Sequence, residues 1–222
     1  MLNTTVYLIR HSARFDTLDL IDKYNTLENR NQKREKIILS VTGEKRAEIL
    51  SNEKELQNID VVYTSNCVRT LETAKYLVEK QNIRVNIDER FDERRLGKDN
   101  KDKYPNWFEL ELTDENFKTE GGESQIDVRN RFIPAFDEAV NDNKGKRIAI
   151  FSHGIAIAYF LLRWCKLEHV SKDKRFCLSF NGKIFFDKIY NAPEVFKITL
   201  DENNKPKDIE LITFDDIEHM NM

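Results

Sequence analysis

Residues 4–14 read TTVYLIRHSAR and residues 147–157 read RIAIFSHGIAI. In each, a run of strand-forming apolar residues stops at a histidine. Val6–Ile9 ends at Arg10 and His11, and Ile148–Phe151 ends at Ser152 and His153. Short apolar runs without polar alternation fit strands covered on both faces, as in a parallel sheet. Two strands that each deliver a histidine where they stop raise the questions of fold and chemistry together.

Further apolar runs stand at Val61–Tyr63 and Ile83–Ile87. Between the runs lie segments with helical periodicity: Thr42–Leu56, Cys67–Glu79, Ser124–Val140 and Ile155–Trp164, the last apolar almost all round and so expected to be buried. Strands alternating with helices predict an α/β fold, a three-layer sandwich with a mostly parallel central sheet and helices on both faces. Near the end, Glu194–Leu200 and Asp208–Phe214 alternate around the turn Glu202–Lys205, which predicts an antiparallel pair on the sheet edge. Phe15–Ile37 is polar and reads as a loop with a helical piece. Lys98–Glu120, charged but carrying Trp107 and Phe108, reads as an excursion from the core. The expectation is one domain over residues 1–222 with a cap or insert at about 98–120.

The composition narrows the function. Thirty-six Lys and Arg nearly balance 39 Asp and Glu, for a net charge of −3, which gives no reason to expect a nucleic-acid partner. No stretch approaches the ~20 apolar residues of a membrane span, and the early first strand leads to the expectation of no signal peptide. Cys67, Cys165 and Cys177 form no CxxC pair and do not have the spacing of a zinc site. They read as buried structural thiols in a reducing, cytoplasmic compartment.

Ligands of open parallel sheets sit beyond the carboxyl ends of the strands. The first strand ends in Arg10 and His11, the second in Ser65 with Arg69 one helical turn on, and the fourth in Ser152, His153 and Gly154. The third leads to a charged run in which Glu89, Asp92 and Glu93 are each a candidate acid. Two arginine forks make a cradle for a tetrahedral oxyanion, above all phosphate. A neutral imidazole in line with phosphorus can attack it, and a second, protonated one can stabilise charge on the equatorial oxygens. Such a pair should have pKa values pushed apart. A carboxylic acid can protonate the leaving alcohol. The protein supplies the cations, so no metal or cofactor is required.

These residues, in this order, resemble the histidine phosphatase superfamily with its phosphoglycerate-mutase-like fold. The resemblance rests on Arg10-His11-Ser12, Leu39–Gly43 with Ala47, Ser65-x-x-x-Arg69-x-x-x-Thr73-Ala74, Glu93-x-x-x-Gly97, Gly121–Ser124 and Ser152-His153-Gly154. It implies a phosphohistidine on His11, a phosphate pocket of Arg10, Arg69 and His153, and Glu93 as the acid and base. Ser12 and Arg14 fall where further pocket residues are expected. Ser12 replaces the family's glycine, and Ile155 stands where one branch places its acid. The implied activity is metal-independent phosphomonoester hydrolysis on a small molecule or a phosphoprotein. Phosphoglycerate mutase-type transfer and an inactive phosphate-binding module are the alternatives.

Overall fold

The apolar run at 6–9 needs partners for its backbone on both sides, and it finds them inside a six-stranded sheet. The computed structural model describes residues 3–15, 33–98 and 103–214. Its strands are β1 (Thr4–Arg10), β2 (Val61–Thr64), β3 (Val85–Ile87), β4 (Arg147–Ser152), β5 (Lys166–Val170), β6 (Phe176–Phe180), β7 (Lys183–Lys188), β8 (Glu194–Leu200) and β9 (Pro206–Ile212). Its helices are α1 (Val41–Asn52), α2 (Val68–Gln81), α3 (Trp107–Thr113), α4 (Gln125–Asn141) and α5 (Gly154–Leu161). The main sheet runs β3-β2-β4-β1-β8-β9. Its first four strands are mutually parallel, while β8 runs antiparallel to both β1 and β9.

Alternation along the strands sorts the core into two layers. Val6, Leu8, Ile148 and Ile150 face α4 and α5, where Val128, Phe132, Phe136, Ile157 and Phe160 are buried. Tyr7, Ile9, Ala149 and Phe151 face the opposite way, against Leu50 of α1 and Ala74 and Leu77 of α2. The sandwich with helices on both faces is therefore what the chain adopts. Helix α5 is buried nearly all round, as its composition requires.

Local chemistry sets the helix ends. Ser40 caps α1: its Oγ accepts the Gly43 N–H at 3.0 Å. Gly43 is required there, because a Cβ would lie 1.8 Å from the Ala13 carbonyl oxygen. Ser124 and Asp127 form a reciprocal capping box on α4. Helix α2 ends at Asn82 in the left-handed region, φ 54°.

The expected edge pair is present, with its second strand beginning two residues earlier, at Pro206. The third strand begins at Val85 rather than Ile83, because α2 runs on to Gln81. A second sheet, β5-β6-β7, was not expected, although Phe176, Leu178 and Phe186 lie buried on one of its faces. Of the polar segment 15–37, residues 16–32 lie outside the described residues, and 33–35 are helical. Residues 99–102 of the expected cap are likewise outside; the rest holds α3 and an edge-packed trio of Tyr104, Trp107 and Phe117.

Phe91 carries the core up to the residues that follow β3. It has no exposed surface and packs edge-on against Tyr63 and Phe132, at centroid distances of 6.1 and 5.0 Å. Phe91→Ala is expected to lower the unfolding free energy by about 3–5 kcal/mol, as read from urea denaturation.

Candidate active site

Parallel, in-register pairing of β1 with β4 puts Arg10 opposite Ser152. The ladder closes with the His11 N–H donating to the Ser152 carbonyl at 2.9 Å. His11 and His153 are the next residues out, and their rings stand 5.2 Å apart, centroid to centroid, at 62°. This is why two strands deliver a histidine at the same level. A cleft of about 460 Å³ opens beyond them, lined among others by Arg10, His11, Arg69, Asp92, Glu93 and Arg14. Arginines outnumber carboxylates two to one in its lining.

Hydrogen-bond partners fix the tautomers. The His11 Nδ1 lies 2.7 Å from the Ser12 carbonyl oxygen. A carbonyl can only accept, so Nδ1 carries the proton and Nε2 keeps its lone pair. His153 is the mirror case. Arg69 Nη2, which can only donate, meets its Nδ1 at 2.8 Å, so the proton sits on Nε2 and points to Ser65 Oγ, also 2.8 Å away. Ser65 Oγ also accepts the Cys67 N–H at 3.2 Å and passes its own proton to Thr70 Oγ1 at 2.8 Å. The chain ends where the Thr70 hydroxyl donates to the Cys67 carbonyl at 2.6 Å.

Both imidazoles are held neutral. Burial pushes the His11 pKa well below its ordinary value, and the Arg69 and Arg10 charges push it further. Burial, Arg69 and then His11 do the same to His153. Both pKa values therefore move in the same direction, because burial and the Arg69 charge act on both rings.

The arginines are set for an anion. Arg10 Nη1 donates to the carbonyls of Tyr190 and Asn191 at 3.1 and 2.8 Å, and its fork lies over the Tyr190 ring. Arg69 Nη1 donates to the Arg34 carbonyl at 2.7 Å. The Nε of each guanidinium is buried without a hydrogen-bond partner among the described residues. An unsatisfied buried donor is costly, and an oxyanion would satisfy both. Gly154 leaves room for this: a Cβ there would come within 3.2 Å of Arg10 Nε.

The acidic residues arrive on a clamped loop. Glu93 Oε1 accepts the N–H groups of Arg94 and of Ala156 in the first turn of α5, at 2.9 and 3.0 Å. Asp92 Oδ1 accepts the Asn66 N–H at 2.7 Å, and burial raises the Asp92 pKa to about 6. Arg131, which the sequence reading did not single out, holds this loop by donating to the carbonyls of Arg90, Asp92 and Glu93. Glu123 fixes Arg131 in turn, at 2.9 and 3.0 Å.

Among the residues expected at the site, Arg10, His11, Arg69 and His153 cluster at the strand ends, with Glu93 facing the same cleft. Arg14 lines the exposed rim. Ser12 does not face the cleft. It is fully buried, its hydroxyl donates to the Gly43 carbonyl at 2.7 Å, and its N–H goes to Thr73 Oγ1 at 2.9 Å. Its φ is not positive, so serine is unstrained in place of glycine. Its single hydroxyl proton is committed to Gly43, away from the cleft where a phosphate contact was expected.

Comparison with known proteins places this geometry. The family model for the histidine phosphatase superfamily (branch 1) matches residues 6–181. Phosphoserine phosphatase 1 of Hydrogenobacter thermophilus is 30% identical over 145 residues, covering 61% of this chain and 67% of that protein. Among solved structures, YhfR of Bacillus stearothermophilus superposes with a TM-score of 0.65 at 21% identity, covering 98% of this chain and 99% of that one. A mycobacterial glucosyl-3-phosphoglycerate phosphatase does so with 0.63 at 18% identity, covering 96% and 98%.

The neutral histidines make stability depend on pH. Unfolded, each takes up a proton near 6.5, whereas the folded pKa lies well below. Their contribution is complete above the unfolded value and is lost as pH falls toward the folded one. Each histidine contributes a slope of at most about 1.4 kcal/mol per pH unit. Asp92 opposes this between 3.8 and about 6, because its folded state holds the proton longer. A difference isolates the effect. Comparing unfolding free energies below pH 6.5, His153→Gln is expected to lose one histidine's share of the wild-type slope. A variant with the wild-type slope would show that His153 is not held neutral.

Proposed function

The chain belongs to branch 1 of the histidine phosphatase superfamily and is a phosphatase of it, and on that premise we propose that it hydrolyses small phosphomonoesters through a phosphohistidine on His11. The observation that carries the reading is the His11 tautomer. With Nδ1–H bound to the Ser12 carbonyl, the Nε2 lone pair is the nucleophile, and the low pKa keeps it available.

Arg10 and Arg69 hold the phosphoryl oxygens through donors now buried without partners, and His153 lies beside them. Nε2 attacks phosphorus as the ester P–O bond breaks. Glu93 gives a proton to the departing alkoxide, so the alcohol leaves neutral. The positive charge on the phosphorylated ring is shared through Nδ1–H with the Ser12 carbonyl. In the second step, the Glu93 carboxylate takes a proton from water. The hydroxide attacks phosphorus, the P–N bond breaks, and inorganic phosphate is released. The protein's own cations balance the phosphoryl charge, and no step calls for a metal.

A substrate dianion would compete for Arg69 Nη2. Once that donor turns to a phosphoryl oxygen, His153 Nδ1 is free to take a proton and donate to the phosphate. His153 would thus acquire its charge with the substrate. Phosphoserine and glucosyl-3-phosphoglycerate, named for the relatives, are the first substrates to assay, since the arginine-rich cleft suits compounds with an additional carboxylate.

Rapid quench with labelled substrate is expected to trap a protein-bound phosphate that is lost in acid and survives alkali, as a phosphoramidate does. His11→Ala is expected to abolish it. An adduct that persists in that variant, or resists acid, rules out His11 as its site.

Asp92 offers a second reading of the acid, because its raised pKa leaves part of it protonated near neutrality. Glu93→Gln is expected to slow hydrolysis of alkyl phosphates by about 10²–10⁴-fold, and of aryl phosphates far less, since their leaving groups need little protonation. If Asp92→Asn shows that selective loss and Glu93→Gln does not, the acid is Asp92.

A further inference from the structure

The small sheet β5-β6-β7 contributes no side chain to the cleft lining, yet one row across it has distinctive chemistry. His169 of β5 pairs in register with Cys177 of β6, and Cys177 pairs with Asp187 of β7. Residues directly opposite on neighbouring strands share a face. The neighbours of Cys177 on its strand, Phe176 and Leu178, belong to the core, so this row lies on the other face of the sheet. A ring nitrogen, the sulfur and a carboxylate oxygen all lie within 4.8 Å of one another. His169 Nε2 is already 3.3 Å from Asp187 Oδ1.

Packing accounts for Cys177, which is fully buried, but not for the two residues beside it. The histidine and aspartate are half exposed, and a pair of that kind contributes little to stability. Three different ligand types converging from three strands of one rigid ribbon instead match what a borderline-soft divalent cation selects: thiolate, imidazole and carboxylate. The sequence could not show this, because zinc spacing rules describe ligands close together along the chain, whereas these three meet only across strands.

We propose that His169, Cys177 and Asp187 form a Zn²⁺ site. The thiol gives up its proton on binding, His169 binds through Nε2, and water completes the tetrahedron. Arg175 is the competitor, with Nη1 3.9 Å from Asp187 Oδ1, so Asp187 is the weakest of the three ligands. The metal would join all three strands just before the chain reaches Tyr190 and Asn191, whose carbonyls hold Arg10. Its role is structural and separate from the phosphoryl chemistry.

The test uses the full chain stripped with EDTA and titrated with Co²⁺. One equivalent is expected to bring up a thiolate-to-cobalt charge-transfer band that Zn²⁺ then removes. Cys177→Ser is expected to lose the band and keep its phosphatase activity in EDTA. His169→Ala, at a half-exposed position that folding tolerates, is expected to weaken Co²⁺ binding by about tenfold or more. Cys67→Ser is the control. Cys67, Asp92 and His153 also lie within 4.8 Å of one another in the cleft, and a metal there would lose its band with Cys67 instead. Absence of the band, or a band that survives Cys177→Ser, overturns the proposal.

Discussion

Everything at the site depends on the parallel register of β1 and β4. Six consecutive residue pairs, from Thr5 with Arg147 to Arg10 with Ser152, leave no freedom in where the two strands stop. A slip of one residue would turn every buried side chain of β1 to the opposite face, exchanging Val6 and Leu8 for Tyr7 and Ile9. The core therefore enforces the register, and the register sets the distance between the histidines. Helices α1 and α2 on one face, and α4 and α5 on the other, position an active centre they enter mainly at their first turns.

That centre combines groups that resist burial. Two guanidiniums and two imidazoles share a small volume, and burial lowers the pKa of Arg10 as well as of both histidines. Their arrangement is tolerated because backbone carbonyls absorb the donors: Ser12 for His11, Arg34 for Arg69, Tyr190 and Asn191 for Arg10. The acidic loop is held by the same means with the roles reversed, since Arg131 donates to three of its carbonyls. Gly97 and Gly122 let the two motif segments touch: a Cβ on Gly97 would fall 2.7 Å from the Gly122 nitrogen. The glycines of those segments thus serve close packing around the acidic loop.

Much of this was legible in the sequence, because continuous apolar runs and helical stripes report burial directly. The strand ends named Arg10, His11, Arg69 and His153 before any geometry was known. Less legible were features set by contacts distant in sequence. Ser12 could be read only as small and polar, and only the approach of Gly43 turns its hydroxyl away from the cleft. Arg131 sits on a helix whose stripe explains its neighbours but not itself, and its partners are carbonyls about 40 residues away, which no side-chain pattern encodes. The sheet β5-β6-β7 was missed because its residues do not alternate cleanly. Its segments are short, β5 and β7 mix charged with apolar residues, and a bulge between Leu167 and His169 breaks the period.

The two histidines are both shifted toward the neutral form, and they differ in tautomer. Both rings share one buried, arginine-rich environment, so any field that lowers one pKa lowers the other. Hydrogen bonds are local enough to distinguish them. A carbonyl acceptor at Nδ1 leaves His11 with an open lone pair at Nε2, whereas a guanidinium donor at Nδ1 and a serine at Nε2 leave His153 with none. The ring proposed as nucleophile is thus specified before any substrate arrives. The second ring is capped by the same arginine that is proposed to grip the phosphate. Binding an anion would then do two things through one side chain: engage Arg69 and uncover His153. On that proposal the site needs no pre-formed imidazolium, which burial beside two arginines would strongly disfavour, because His153 takes up its charge only with the ligand that requires it.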